Sequence, residues 1–128
     1  MIVRQLAEIL YTDKDVHAQT WTSRRLLLKG DNVGFSLHDT VMKAGTDTVM
    51  WYKHHIEAVY CIEGEGQLEC LENGQVYDLH PGTLYVLNGH ERHRVKPRTD
   101  IRMVCVFNPP VTGQEVHDKE GAYPATEG

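Results

Sequence analysis

The segment from Glu57 to His93 decides the fold, with EAVYCIEGEG at residues 57–66, ENG at 72–74 and PGTLY at 81–85. Turns that contain glycine separate short runs rich in β-branched and aromatic residues, which is the pattern of consecutive β-strands. Asn-Gly tolerates the positive φ angles of a tight turn, so ENG predicts a β-hairpin. A compact β-fold would bring together side chains that lie far apart along this segment.

The same pattern extends over most of the chain and predicts an all-β, single-domain sandwich or barrel with little helix. One helical turn is predicted within residues 5–10. In the run before residue 42, Val33, Phe35 and Leu37 alternate with smaller or polar residues, as in a half-buried strand. We predict a domain over residues 1–119 and a flexible tail over 120–128. The predicted strands are 2–4, 20–29, 33–42, 48–52, 57–63, 67–71, 75–79, 83–87, 92–96 and 101–107.

Composition narrows the class of protein. With 128 residues, 41% hydrophobic residues and 24% charged residues, the chain is expected to be one globular domain. The formal net charge of −5 argues against a nucleic-acid partner. The N-terminal segment carries Arg4 and Glu8 and has no long apolar core, so we expect neither a signal peptide nor a membrane span. The 3 cysteines lack CxxC spacing and favour reduced thiols in the cytoplasm.

Three residues in the deciding segment could form a metal site. Glu57 begins one strand, Tyr85 lies in a later strand and His93 follows the next turn. If all three face the interior, they must pair with one another or bind something, because buried polar groups need partners. A divalent ion would satisfy all three, and mixed oxygen and nitrogen donors suit iron, manganese or zinc better than calcium. The alternative is an ordinary solvated glutamate, a core or rim tyrosine and an exposed histidine.

Two further groups of residues could contribute to a site. Trp21, Ser23 and Arg25 share one face of a predicted strand, where the arginine could bind a carboxylate beside an aromatic wall. The alternative is a surface arginine whose stem packs on the strand. Glu115 and His117 would share a face of an extended segment and could close the barrel, although an ordinary polar tail is the favoured interpretation. Adjacent strand residues point to opposite sides, so we expect one of His54 and His55 to face inward and the other to face solvent.

The chain resembles the cupin superfamily in two segments. Gly45, Glu57 and Gly64 match the first cupin motif, and Gly82 to His93 matches the second. The paired histidines usual in the first motif would fall within residues 50–53, which contain no histidine. A three-histidine metal site is therefore absent, while Glu57 and His93 are retained.

Longer segments resemble the ectoine synthase family, and together they cover almost the whole chain. They are MIVRQL at 1–6, WTSRRLLLKGDNVGFSLHDT at 21–40, YKHHIEAVYCIEGEGQLE at 52–69, HPGTLYVLNGHERHRV at 80–95 and VFNPPVTGQEVHD at 106–118. The resemblance implies a jelly-roll-like cupin barrel and an iron-dependent homodimer. It also implies the cyclisation of N-γ-acetyl-L-2,4-diaminobutyrate to ectoine with loss of water, which supplies a compatible solute under osmotic stress.

The resemblance further implies a role for each site residue. The metal ligands would be Glu57, Tyr85 and His93, holding Fe(II), with zinc or manganese as alternatives. The substrate-binding residues would be Trp21, Arg25, Thr40 and Phe107. The residues involved in catalysis would be Tyr85, Glu115, His117 and Tyr52. Family members often have asparagine where this chain has His38.

Two other functions fit a small cupin barrel. The first is a different metal-dependent enzyme, a dioxygenase or an epimerase, which oxygen consumption or a sugar substrate would reveal. The missing paired histidines make it less consistent with the sequence. The second is a non-catalytic protein that binds a small ligand, since fold does not fix function. A ligand that binds and is never turned over would identify it.

Overall fold

The protein, in a computed structural model that describes residues 1–113, consists of short strands and two 3-10 helices. The helices are Leu6–Glu8 and Lys29–Asp31. No helix in these residues has the length and apolar character needed to cross a lipid bilayer. The strands are β1 (Asp15–His17), β2 (Trp21–Leu27), β3 (Ser36–Met42), β4 (Thr48–Met50), β5 (Ile56–Glu63), β6 (Gly66–Cys70), β7 (Val76–Leu79), β8 (Leu84–Leu87), β9 (His93–Pro97) and β10 (Ile101–Asn108).

The strands form two antiparallel sheets. A six-stranded sheet has the order β1-β2-β3-β10-β5-β8, and a four-stranded sheet has the order β4-β9-β6-β7. The last strand, β10, lies between β3 and β5, so it joins the two halves of the larger sheet. The predicted hairpin at ENG is present as the β6–β7 pair. The all-β prediction is confirmed.

Both sheets contribute apolar side chains to one core, which therefore lies between them. The face of the six-stranded sheet that meets this core is called the inner face below, and the opposite face is called the outer face. Strand residues alternate between the two faces. If one residue of a strand lies on the inner face, the residues two positions away also lie on it, and those one position away lie on the outer face. The core residues include Met42, Val59 and Met103 from the larger sheet and Leu68, Leu79 and Val95 from the smaller one.

Three strand predictions were wrong. Residues 2–4 form no strand, and β1 was not predicted. β3 begins only at Ser36, because Gly34 has a φ of +86° and residues 33–35 form a bend. Val33 and Phe35 are consequently exposed rather than half-buried. The inner face of β3 instead presents the polar residues Ser36, His38 and Thr40, which are all buried.

Gly64 and Gly66 fix the turn from β5 to β6 through a close backbone contact. A Cβ atom on Gly64 would lie 2.0 Å from the carbonyl oxygen of Asp100, and one on Gly66 would lie 2.5 Å from that of Lys96. Gly64 also has a φ of +89°, which L-residues with a side chain rarely adopt. The two glycines therefore let the chain cross from the larger sheet to the smaller one at the point where the sheets meet.

Candidate active site

The inner face of the six-stranded sheet lines a narrow cavity, which we call the inner cavity. Its volume is about 30 Å³. Six of the residues proposed from the sequence lie on its wall, and they come from five strands of the larger sheet and from the segment after β4. The lining residues are Trp21, Ser23, His38, Thr40, Met42, Met50, Tyr52, Glu57, Tyr85, Met103, Cys105 and Phe107.

Glu57 is a buried carboxyl group in the inner cavity. It lies on β5, opposite Leu87 of β8 on one side and Phe107 of β10 on the other. Only 5% of the residue is exposed. Burial raises the pKa of Glu57 to about 8, and a hydrogen bond with the Cys105 thiol offsets this only in part. The side chain therefore retains a proton near neutrality unless a cation lies beside it.

Tyr85 is close to Glu57 on the same face of the sheet. Tyr85 pairs with Val59, two residues from Glu57 along β5, so the two side chains are diagonal neighbours. Burial and the nearby Glu57 charge both raise the pKa of the Tyr85 phenol well above its usual range. Tyr85 also lines a second cavity of about 300 Å³, which we call the side cavity.

His93 approaches Tyr85 from the smaller sheet. It lies on β9, lines the side cavity and is 1% exposed. Its ring centroid is 6.3 Å from that of Tyr85. Nδ1 donates a hydrogen bond to the Glu91 carbonyl oxygen at 3.1 Å, whereas Nε2 is buried without a hydrogen-bond partner among residues 1–113. Burial lowers the pKa of His93 to about 4, and the bond to Glu91 offsets this only partly, so the ring is neutral near pH 7.

These three groups fit a metal ion. A backbone carbonyl that holds Nδ1–H leaves the lone pair of His93 Nε2 available, which is the usual arrangement in a metal-binding histidine. Burial raises the pKa values of Glu57 and Tyr85, and a cation beside them would lower both. Residues 1–113 contain no group of three or more His, Cys, Asp or Glu side chains that could hold a metal ion. A site built here would therefore require the Tyr85 oxygen as its third ligand.

Aromatic side chains close the inner cavity around this group. Tyr52 is buried, and its ring lies 5.0 Å from Phe107 in an edge-to-face contact and 6.2 Å from His93. His55 is fully buried against Phe107, and its Nδ1 donates to the Pro109 carbonyl oxygen at 2.8 Å. His54 is exposed, which confirms the expectation that the two adjacent histidines face opposite sides.

Arg25 lies on the same face of β2 as Trp21 and Ser23, as predicted. It is 3% exposed, so a surface position is excluded. Its Nη1 donates to the Gly113 carbonyl oxygen at 3.4 Å. Thr40 lies opposite Ser23 on the neighbouring strand. Glu115 and His117 are outside the described residues.

The sequence analysis assigned no role to several cavity residues. His38, Cys105 and Met103 line the inner cavity, and Ser23 was considered only as a neighbour of Arg25. The signal for His38 was present, because it alternates with Thr40 along β3 and must share its face. The same alternation predicts that Met103 and Cys105 share the face of Phe107 on β10, although both residue types are also common in ordinary cores.

Comparison with known proteins places the chain among close relatives. The family described as Ectoine synthase matches residues 1–127. An L-ectoine synthase from Nocardia farcinica is 61% identical over 97% of this chain and 95% of the relative. The crystal structure of an ectoine synthase from P. lautus superposes with a TM-score of 0.89 at 55% identity, covering 100% of this chain and 95% of that one. A Cupin 2 conserved barrel domain protein from Salinispora arenicola shares the fold alone, with a TM-score of 0.66 at 21% identity over 84% of this chain and 87% of that one.

Proposed function

Because this chain belongs to the ectoine synthase family, we propose that N-γ-acetyl-L-2,4-diaminobutyrate closes to ectoine in the inner cavity, beside a divalent metal ion held by Glu57, Tyr85 and His93. The protein is an ectoine synthase with a cupin-type barrel, and it is a carbon–oxygen hydro-lyase. The α-amine of the substrate attacks the acetamide carbonyl carbon and forms a carbon–nitrogen bond. The former carbonyl oxygen then leaves as water, and a cyclic amidine results.

One observation carries the assignment of the site. Tyr85 shares the inner cavity with Glu57 and the side cavity with His93, so its phenol lies between the two other candidate ligands. The unbonded Nε2 of His93 supports a ligand role for that ring. When bound, the metal would supply a Lewis acid that polarises the acetamide carbonyl. We propose Fe(II), with zinc and manganese as the alternatives to be separated by metal analysis.

The neighbouring side chains would bind and fold the substrate. Arg25 would hold the substrate carboxylate, Thr40 would position the polar chain, and Trp21 and Phe107 would form apolar walls. The open-chain substrate has several rotatable bonds, so a cavity that holds it in a ring-like pose lowers the entropic part of the barrier. A tightly enclosed substrate would also be separated from bulk water, which favours dehydration.

Proton transfer requires a base for the α-ammonium and an acid for the leaving oxygen. We assign these roles to Tyr85, Tyr52, Glu115 and His117. Tyr52 and Tyr85 both reach the inner cavity. A positioned acid or base typically contributes ~10²–10⁴-fold to the rate.

We also propose that the enzyme is a cytoplasmic homodimer that serves osmoprotection. Cys61, Cys70 and Cys105 are free thiols, as expected in a reducing compartment. Ile2 and Val3 are exposed, with 46% and 73% of their surface accessible. Residues 2–4 have no strand partner within the described part of the chain, so pairing with a second copy would bury these apolar side chains. Light scattering on the purified protein and on an Ile2→Lys, Val3→Lys variant tests the dimer.

The deciding experiment is product analysis with and without metal. Purified protein loaded with Fe(II) under anaerobic conditions is incubated with N-γ-acetyl-L-2,4-diaminobutyrate, and ectoine is measured by chromatography. We expect ectoine and no oxygen consumption, loss of activity after chelation and recovery after Fe(II) is added back. Full activity in protein shown by metal analysis to be metal-free would contradict the role of the ion.

A further inference from the structure

His38 occupies an unusual position for a buried histidine, because both ring nitrogens meet serine hydroxyl groups. It is 1% exposed in the wall of the inner cavity. Nδ1 lies 3.1 Å from the Ser23 Oγ atom on β2, and Nε2 lies 3.0 Å from the Ser36 Oγ atom on its own strand. The ring is therefore a bridge between a hydroxyl group in the cavity and one that is fully buried.

The Ser36 hydroxyl sets the direction of this chain of hydrogen bonds. Its Oγ accepts a hydrogen bond from the Val111 N–H at 3.0 Å, and the residue is 0% exposed. The hydroxyl proton needs an acceptor of its own, since buried polar hydrogens are rarely left without one. Among residues 1–113 the only acceptor in reach is His38 Nε2. Nε2 must then be unprotonated, and the network places the single ring proton on Nδ1.

This tautomer determines what Ser23 presents to the cavity. Nδ1–H donates to Ser23 Oγ, so the Ser23 proton cannot point back at the ring. Ser23 lines the inner cavity and has no other hydrogen-bond partner within residues 1–113. Its O–H is consequently directed at whatever occupies the cavity. Ser23 and Arg25 are two residues apart on the inner face of β2, so both point to the same side.

We propose that His38 is a positioning residue, which holds Ser23 as a hydrogen-bond donor to the carboxylate of the substrate. This inference rests on the proposed function and extends it, because it adds a neutral donor beside the cationic Arg25. Ser36 and the Val111 amide keep His38 Nε2 as an acceptor. His38 Nδ1 therefore carries the ring proton and donates it in a hydrogen bond to Ser23. The proposed role of the histidine is exerted through Ser23.

Two amide substitutions at His38 separate this role from simple packing. In His38→Asn the amide group lies where Nδ1 lies, so its N–H₂ can still donate to Ser23. In His38→Gln the amide lies where Nε2 lies, so it can reach Ser36 but leaves Ser23 without its donor. A hydrogen bond to a charged group changes affinity by about tenfold or more, so we expect His38→Gln to raise KM by about tenfold with kcat within about threefold of wild type. We expect His38→Asn to recover most of that loss.

The tautomer itself is measured by ¹⁵N NMR of the histidine side chains in metal-free and Zn(II)-loaded protein. We expect the proton on Nδ1 of His38 in wild type, and a mixed signal in Ser36→Ala, because that variant lacks the hydroxyl that fixes Nε2 as an acceptor. His80→Gln is the control, since His80 is exposed and bonds only to the neighbouring Pro81 carbonyl. The KM of this variant should equal that of wild type, and its His38 signal should be unchanged.

Three results would overturn the proposal: a proton on Nε2 in wild type, an unchanged KM in His38→Gln, or a His38→Asn variant as impaired as His38→Gln. If His38→Gln fails to fold, Ser23→Ala and Ser36→Ala replace it, and an unchanged KM in both overturns the proposal equally. If wild-type protein makes no ectoine, the proposed function fails, while the NMR experiment still decides the tautomer. Adding Ser23→Ala to His38→Gln should cause no further loss, because both changes remove the same donor.

Discussion

Two buried carboxyl groups lie in the same sheet and face opposite sides, and their surroundings are opposite as well. Glu57 on the inner face has no cationic side chain beside it among residues 1–113, and burial raises its pKa to about 8. Asp39 on the outer face accepts hydrogen bonds from Arg102, at 2.6 Å to Nη2, and from Arg24. Burial alone would raise the pKa of Asp39, but these bonds outweigh it and lower the pKa. Two guanidinium groups of the chain accompany the Asp39 carboxylate, whereas no cationic side chain within residues 1–113 accompanies Glu57.

Neutralising Glu57 should have the largest effect and should spare the fold. Glu57→Gln keeps the shape of the side chain and removes a metal-binding charge. A Lewis acid supplies several kcal/mol of transition-state stabilisation, so we expect activity to fall by about 10³-fold, with metal content greatly reduced. Metal analysis and ectoine production measure both changes. The midpoint of urea unfolding of the metal-free variant should equal or exceed that of metal-free wild type, because an amide is cheaper to bury than a carboxylate.

The same neutralisation at Asp39 should have the reverse outcome. Asp39→Asn leaves Arg24 and Arg102 partly buried without their anion, and breaking a buried ion pair costs about 3 kcal/mol. Urea unfolding should show this loss, while KM and kcat of the remaining folded enzyme stay close to wild type. An unchanged unfolding free energy in Asp39→Asn would contradict this prediction, because the Asp39 carboxylate would then contribute no more stability than the Glu57 carboxyl group.

Arg24 and Arg25 give the sharpest form of the comparison, because they are adjacent on β2 and point to opposite faces. Arg25→Gln should raise KM for the substrate by about tenfold, since a charge-assisted hydrogen bond to the carboxylate is lost. Arg24→Gln should leave KM unchanged and lower the unfolding free energy by about 1–2 kcal/mol through Asp39. Steady-state kinetics and urea unfolding of both variants test this. A KM effect in Arg24→Gln would show that the two faces are not functionally separate.

Strand alternation predicted which residues share a face of the sheet. It did not predict whether each face is apolar or polar. Turn glycines and strand alternation placed Glu57, Tyr85 and His93 correctly in strands that meet. The alternation of Val33, Phe35 and Leu37 misled, because it suggested an apolar inner face for β3. The inner face actually presents Ser36 and His38, since a binding cavity reverses the usual pattern of apolar residues inside.

Contacts between distant strands set the remaining limit. Asp39 meets Arg102 across 63 positions of the sequence, and their pairing depends on the register between β3 and β10. Alternation along one strand gives the face of a residue but gives no information on which strand lies beside it. The same applies to His38, whose partner Ser23 lies on β2. The strand positions of Glu57, Tyr85 and His93 were predictable, whereas the contacts that orient their neighbours were not.

Lowering the pH should remove the stability that the Asp39 carboxylate contributes on the outer face. The pKa of Asp39 is lower in the folded protein than its ordinary value of 3.8, so the stability it contributes is complete above that pH and is lost as the pH falls further. The difference in unfolding free energy between wild type and Asp39→Asn should therefore shrink below about pH 4. Some acid sensitivity should remain in the variant, because the Arg4 side chain and the Leu28 amide lower the pKa of Asp31 to about 2. Unfolding at a series of pH values measures both slopes, and a constant difference would contradict the assignment.

The smallest effect should come from an ion pair whose two side chains are both exposed to solvent. Arg98 and Glu65 lie 2.7 Å apart, but 68% and 54% of their side-chain surfaces are exposed. Water and salt screen such a pair, so Arg98→Gln should change the unfolding free energy by less than about 1 kcal/mol, and added salt should reduce even that. Urea unfolding at low and high salt compares this variant directly with Asp39→Asn. If both variants lost the same unfolding free energy, the short distance between the charges would account for the stabilisation by Asp39, and burial would not. A clear excess for Asp39→Asn that persists at high salt would attribute its stabilisation to the burial of the carboxylate between two guanidinium groups.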